Sequence, residues 1–189
     1  MDPSCAILLE IQALLEQKAN GQYGLTLINQ QQHALQGAWL AEQEGNDDAM
    51  IVAALLHDIG HMVHDFGDEP ADKGIDDRHE ELGHEWLKSY FGPEVTEPIR
   101  LHVAAKRYLC AIEPDYFVKL SADSVKSLAL QGGPMSPKEV QAFESLPHYR
   151  QAVQLRRYDE RAKVKGLVTP SVAYFMPVVS RCLNSMGVR

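Results

Sequence analysis

The stretch Ile51-Val52-Ala53-Ala54-Leu55-Leu56-His57-Asp58-Ile59-Gly60-His61-Met62-Val63-His64 decides how this chain folds. A run that is apolar nearly all round reads as a helix inside a core rather than on a surface. His57 and His61 are four residues apart, so a continuous helix presents them on one face, and Asp58 follows about 100° further round the axis. Imidazole and carboxylate groups at the edge of an interior suit a metal site. The same letters also fit a capped helix end carrying surface histidines, and the rest of the chain has to decide between the two.

On either side the periodicity is helical. Residues 4–18 carry the stripe Ile7, Leu8, Ile11, Leu14 and Leu15, and Asn20-Gly21 ends it. After a connector over 21–27, a helix spans about 29–44 with His33 on it, and Asn46-Asp47-Asp48 caps the next one. Residues 65–77 are acidic and irregular and read as a loop, free to move around Gly67 and Gly74. Helices are predicted over 78–91 with His79, 94–110 with His102 and Lys106, and 115–130 with Ser124. Gln131-Gly132-Gly133-Pro134-Met135 is a sharp turn; helices follow at 137–145 and 148–164, and a last one after Pro170 breaks or kinks near Pro177. Nothing alternates with period two, so the expected fold is all-α, a compact helical bundle forming a single domain over 1–189.

The formal net charge of −8 opposes nucleic acid, whose phosphates need a basic footprint. No apolar run is long enough to span a membrane, and no basic leader precedes the first helix. Cys5, Cys110 and Cys182 are few, odd in number and far apart, which argues against a disulfide framework and fits a reducing cytoplasm.

His33, His57-Asp58, His79, His102 and Asp159 sit on different predicted helices. One such histidine is usually an ordinary core or surface residue; five helices each offering a ligating group are harder to dismiss. Four imidazoles and two carboxylates exceed what a single catalytic metal needs, because such a metal keeps open positions. Two metals bridged by a carboxylate use the set comfortably, and Asp58 is the natural bridge. The donor types suit iron or manganese and do not exclude zinc. His64, His84 and His148 match no pattern and read as surface residues.

His33, His57-Asp58 and Asp159 resemble the HD-domain superfamily, and His79 and His102 extend the likeness to its binuclear members. A narrower resemblance rests on Tyr23, Ile28-Asn29-Gln30, His33, His57-Asp58-x-Gly60-His61, His102-Val-Ala-Ala-Lys106-Arg-Tyr-Leu109, Gln131-Gly-Gly-Pro-Met135 and Asp159. Together these are similar to the HD-domain mixed-valence di-iron oxygenases of phosphonate breakdown, the PhnZ and TmpB family, over roughly residues 5–165. The resemblance implies two iron ions, Fe(II)/Fe(III), held by His33, His57, Asp58, His79, His102 and Asp159, with Tyr23 as a reversible ligand. It implies that His61, Lys106, Ser124, Gln131 and Arg156 line a phosphonate pocket, and that dioxygen is used to cleave the carbon–phosphorus bond of a 1-hydroxyphosphonate, giving a carboxylic acid and phosphate. The chemistry of the residues agrees: Lys106 lies one turn after His102, and Arg156 one turn before Asp159 offers a forked donor to an oxyanion.

One position departs from the resemblance. Where relatives acting on a primary ammonium carry a glutamate, this chain has Thr26, with no acid between Tyr23 and His33. A buried primary ammonium would lose a charge-assisted partner there, whereas a trimethylammonium has no N–H to donate and prefers aromatic faces. Tyr23, Trp39, Tyr158 and Phe175 are candidate faces, and the acidic 65–77 loop is a candidate source of negative potential. The expected substrate is therefore 1-hydroxy-2-(trimethylammonio)ethylphosphonate, giving glycine betaine, ahead of 2-amino-1-hydroxyethylphosphonate. The competing class is a metal-dependent phosphohydrolase, in which two metals activate water against a phosphate ester.

Overall fold

The computed structural model of the chain describes residues 3–21, 25, 27–63, 74 and 76–184. Its helices, in order, are α1 (Pro3–Gln17), α2 (Gln30–Gln43), α3 (Asp48–Leu56), α4 (His79–Leu87), α5 (Pro93–Ile112), α6 (Ala122–Leu130), α7 (Pro137–Glu144), α8 (Tyr149–Arg161) and α9 (Val172–Cys182). Single 3-10 turns at Lys18–Asn20, Ile59–Met62 and Phe117–Lys119 bend the chain between them. Among the described residues there is no strand, and extended backbone pairs only at an isolated antiparallel bridge between Phe91 and Leu183. The fold is all-α, as the periodicity predicts. No helix of the described residues is long and apolar enough to cross a membrane, and the three cysteines are free thiols.

The helix starts are set by side-chain caps. Asn29 accepts from the backbone N–H of Gln32 at 2.8 Å while Gln32 accepts from that of Asn29 at 3.2 Å, a reciprocal box that fixes the start of α2. Asp47 accepts from the Met50 N–H at 2.9 Å and opens α3. Ser121 does the same for α6 through the Ser124 N–H.

The apolar stretch forms a shorter helix than its letters predict. α3 stops at Leu56; His57 caps it, Asp58 adopts φ −99° and ψ 9°, and Ile59–Met62 tightens into a 3-10 turn. His57 and His61 therefore do not share a helix face. The reason is a backbone contact with the start of α4: a Cβ on Gly60 would lie 1.9 Å from the carbonyl oxygen of His79. The chain turns to make that approach, and only glycine permits it. The expected helix over 115–130 likewise separates into the 3-10 turn and α6, because Ser121 caps a new start. α9, by contrast, runs on through Pro177 instead of breaking there.

Every residue of α3 from Met50 to Leu56 is buried. It is the centre of a core that also draws on Ile7, Ile11 and Leu15 of α1, Ala34 and Ala38 of α2, Ile99 of α5, Leu155 and Tyr158 of α8 and Phe175 and Val179 of α9. A second cluster joins α5, α7 and α8 through Leu101, Ala105, Leu109, Phe143 and Ala152. Burying these side chains at about 25 cal/mol per Å² of apolar surface is the main force holding the helix ends together. Phe175, fully buried, and Tyr158, 1 % exposed, belong to this core, with Trp39 packed against it. Phe175 and Tyr158 are thus not faces open to a ligand, which corrects the sequence expectation for these two; Tyr23 and Thr26 lie outside the described residues, as does most of the 65–77 segment.

Candidate metal centre

Five elements bring the predicted donors together. His33 comes from α2, His57 and Asp58 from the end of α3, His79 from the first residue of α4, His102 from α5 and Asp159 from α8. All six are buried. Asp58 is shared: its Oδ2 lies 3.6 Å from His33 Nε2, and its Oδ1 lies 3.5 Å from His57 Nε2, 3.5 Å from His79 Nε2 and 3.7 Å from His102 Nε2. Asp159 Oδ1 is 3.3 Å from His33 Nε2.

The position of every imidazole hydrogen is dictated by what the outer nitrogen meets. His33 Nδ1 lies 2.8 Å from the carbonyl of Ala162, His57 Nδ1 2.9 Å from that of Ala54, and His102 Nδ1 2.7 Å from that of Ile99. His79 Nδ1 lies 3.0 Å from Asp77 Oδ1. Oxygen acceptors of this kind require a hydrogen on Nδ1, which leaves a lone pair on each Nε2 in the neutral, ligating form of the ring. Those lone pairs face one another, at 3.1 Å between His57 and His33 and 3.2 Å between His79 and His102. Two facing lone pairs with two carboxylates between them repel unless cations sit among them. A set of four nitrogens and two carboxylates fits iron or manganese, and the outer hydrogen bonds are those that orient metal-bound histidines.

Charge tells the same story. Burial alone would raise the pKa of Asp58, but the surrounding imidazoles outweigh it and hold the carboxyl ionised. Burial likewise opposes ionisation of Asp159, and Arg156 and Lys163 overcome it. Burial keeps His57 and His102 neutral, the ligating form. At His79 burial lowers the pKa, yet the bond to Asp77 and the charge of Asp58 raise it to about 9.

Beside Asp159 lies a cluster of donors. Lys106, 3 % exposed, donates to Ser127 Oγ at 2.8 Å. Burial, and then the charge of Arg156, bring its pKa down to about 7. Buried Arg156 spends its guanidinium on Asp159 and Glu160, on Ser124 Oγ at 3.1 Å and on Tyr116 OH at 3.0 Å. Ser124 donates to Glu160 Oε2 at 2.9 Å. Gln131 caps α6 at the turn through Gly132 and Gly133, both at positive φ, and its amide oxygen is buried with no hydrogen-bond partner among the described residues. His61 turns its outer nitrogen to a different neighbour: its Nδ1 is 2.6 Å from Asp77 Oδ2, and its ring stacks on His79 at 4.0 Å. A nitrogen of His61 falls with Asp58 and His79 in a group of donors all within 4.8 Å of one another.

Two contributors escaped the sequence reading. Asp77 looks like one more acid in a polar loop, but it is buried and bonded to both His61 and His79. Lys163 touches Asp159 Oδ1 at 3.2 Å and Ser124 Oγ at 3.1 Å; its place four residues after Asp159 was the available signal. The segment after α8 is gripped by α2, where Gln36 donates to the Val164 carbonyl and accepts from the Val164 N–H, both at 2.9 Å. His84, read as a surface residue, is only partly exposed and pairs with Glu97 at 3.2 Å.

A helical bundle that gathers imidazoles from several helices onto one buried His-Asp carboxylate defines a metal-centre protein of the HD type. The comparisons agree with the geometry: the family profile described as HD domain matches residues 31–140. The chain is 42 % identical over 174 residues to the 1-hydroxy-2-(trimethylamino)ethylphosphonate dioxygenase (glycine-betaine-forming) of Leisingera caerulea, covering 92 % of this chain and 89 % of that one. It is 47 % identical over 158 residues to the hydroxymethylphosphonate dioxygenase of Gimesia maris, covering 83 % and 79 %. The chain belongs to the HD-domain family and, within it, to the group that holds these phosphonate dioxygenases.

Proposed function

We propose that this protein is a di-iron oxygenase that uses dioxygen to cleave the carbon–phosphorus bond of 1-hydroxy-2-(trimethylammonio)ethylphosphonate, giving glycine betaine and phosphate. The observation that carries the reading is the pair of opposed imidazole lone pairs around Asp58, with Lys106, Ser124, Arg156 and Lys163 alongside. A water-activating hydrolase can use similar ligands, so the donor cluster and the two dioxygenase relatives decide for oxygen chemistry. The whole chain reads as a single HD domain, because α1 and α9 share one core with α3.

In this reading His33, His57, Asp58 and Asp159 hold one iron, and Asp58, His79 and His102 hold the other. The iron pair, Fe(II) and Fe(III), supplies the activation of dioxygen. The protein supplies the rest. Lys106 neutralises the phosphonate, Ser124 and the amide NH2 of Gln131 orient it, and burial of the site excludes water. Arg156 holds Asp159 in place through their ion pair and adds positive charge close to the anion. The three free thiols support a cytoplasmic setting.

A second substrate has its own support. The absence of an acid near Thr26 suits a substrate with no primary ammonium, and hydroxymethylphosphonate, the substrate named for the Gimesia maris relative, carries no cation at all. Phosphate release from the trimethylammonio, amino and hydroxymethyl phosphonates, each with and without oxygen, tests both readings. The trimethylammonio compound is expected to give the highest kcat/KM and no turnover anaerobically. A clear preference for either other substrate overturns the choice of substrate, and anaerobic release overturns the oxygenase.

A further inference from the structure

Asp77 touches two histidines with two different oxygens. Oδ1 lies 3.0 Å from His79 Nδ1 and also accepts from the backbone N–H of His79 at 3.3 Å. Oδ2 lies 2.6 Å from His61 Nδ1. The two imidazoles stack on each other at 4.0 Å with 25° between their planes. Asp77 and His79 are buried, and His61 is largely so.

We infer that Asp77 is a positioning residue that fixes the ring hydrogens of His79 and His61 together, and so couples the second metal position to the pocket histidine. A carboxylate can only accept, so each Nδ1 must carry a hydrogen, and in the neutral ring, the form that meets a cation, each Nε2 keeps its lone pair. For His79 this presents the ligating nitrogen to the cation, with the carboxylate behind the ring strengthening it as a donor. For His61 it makes the inward nitrogen an acceptor, able to receive a hydrogen bond from a hydroxyl beside the metals. The inference rests on the proposed function in taking His79 as a metal ligand and His61 as a pocket residue.

The geometry predicts an asymmetric response to Asp77→Asn. The Oδ1 position receives a backbone N–H, which can only donate, so the asparagine oxygen must stay there. His79 then keeps its hydrogen on Nδ1. The amide NH2 takes the other position and donates to His61 Nδ1, forcing the hydrogen of His61 onto Nε2. One substitution should therefore turn the inward nitrogen of His61 from acceptor to donor while leaving the metal ligand as it was. Asp77→Ala, lacking both acceptors, should loosen His79 as well.

The test reads two-bond proton–nitrogen NMR correlations of the histidine rings in the zinc-loaded full chain, together with iron content and kinetics of the iron-loaded enzyme. The expected result is Nδ1–H at both His61 and His79 in the unchanged protein. In Asp77→Asn, His61 moves to Nε2–H, both iron positions stay filled, and kcat/KM falls at least about tenfold. In Asp77→Ala, affinity at one iron position falls about 10–100-fold. Nε2–H at either histidine in the unchanged protein overturns the inference, and so does an Asp77→Asn enzyme with unaltered tautomers and kinetics. A chain that takes up two zinc ions with the expected tautomers but turns over no phosphonate overturns the proposed function and leaves the role of Asp77 standing.

Discussion

Lys106 and His79 owe their behaviour to burial and to what lies beside them. Lys106 titrates at about 7, so the free enzyme loses its ammonium as pH rises through neutrality. The attraction for a phosphonate is present below that pH and fades above it, and kcat/KM should fall on an alkaline limb near pH 7. Lys106→Arg keeps a cation throughout and should remove that limb. This distinguishes the lysine from the ionisation of the substrate itself, which the substitution leaves unchanged. His79 holds a proton up to about 9, and an incoming cation has to displace it. Iron affinity of the metal-free protein should therefore rise with pH up to about 9 and level off above it, as followed by competition with a chelator.

At the level of elements, the centre depends on how helices begin and end. Asn29→Ala removes the cap of the helix that carries His33 and should cost about 1 kcal/mol in a denaturant titration. Gly60→Ala is more severe, because the new methyl would meet the backbone of His79, which cannot turn aside. It should cost about 2–3 kcal/mol and reduce iron content in the same preparation. These two cases also show what the letters reveal. The cap is written locally, as Asn29 and Gln32, and so are the six candidate ligands, since imidazoles and acids recurring on successive predicted helices form a pattern that a single one does not. The end of α3 is not local: nothing before Gly60 stops that helix, and its turn exists because α4 arrives against it. Asp77 was illegible for a related reason, as its acid becomes distinctive only once His61 and His79 fold to either side.

Across the whole molecule, the helices nearest the two ends close over the core whose centre presents His57. Phe175 on α9 is fully buried in the same cluster as Leu55 and Leu56. Phe175→Ala should lower stability by about 3–5 kcal/mol, with iron lost in the same cooperative transition rather than after it. Two separated transitions, followed by helix signal and by metal release, would contradict a single domain. The grip of Gln36 on Val164 has a consequence of the same reach. Val164 lies outside any helix and is 50 % exposed, which ordinarily means an amide that swaps its hydrogen with solvent almost at once. Here the side chain of a buried helix residue takes the place of a neighbouring strand, and His33 holds the Ala162 carbonyl two residues earlier. In deuterated water that amide should persist as long as those of α2, marking a stretch of apparent loop that opens only when the helix beneath it does.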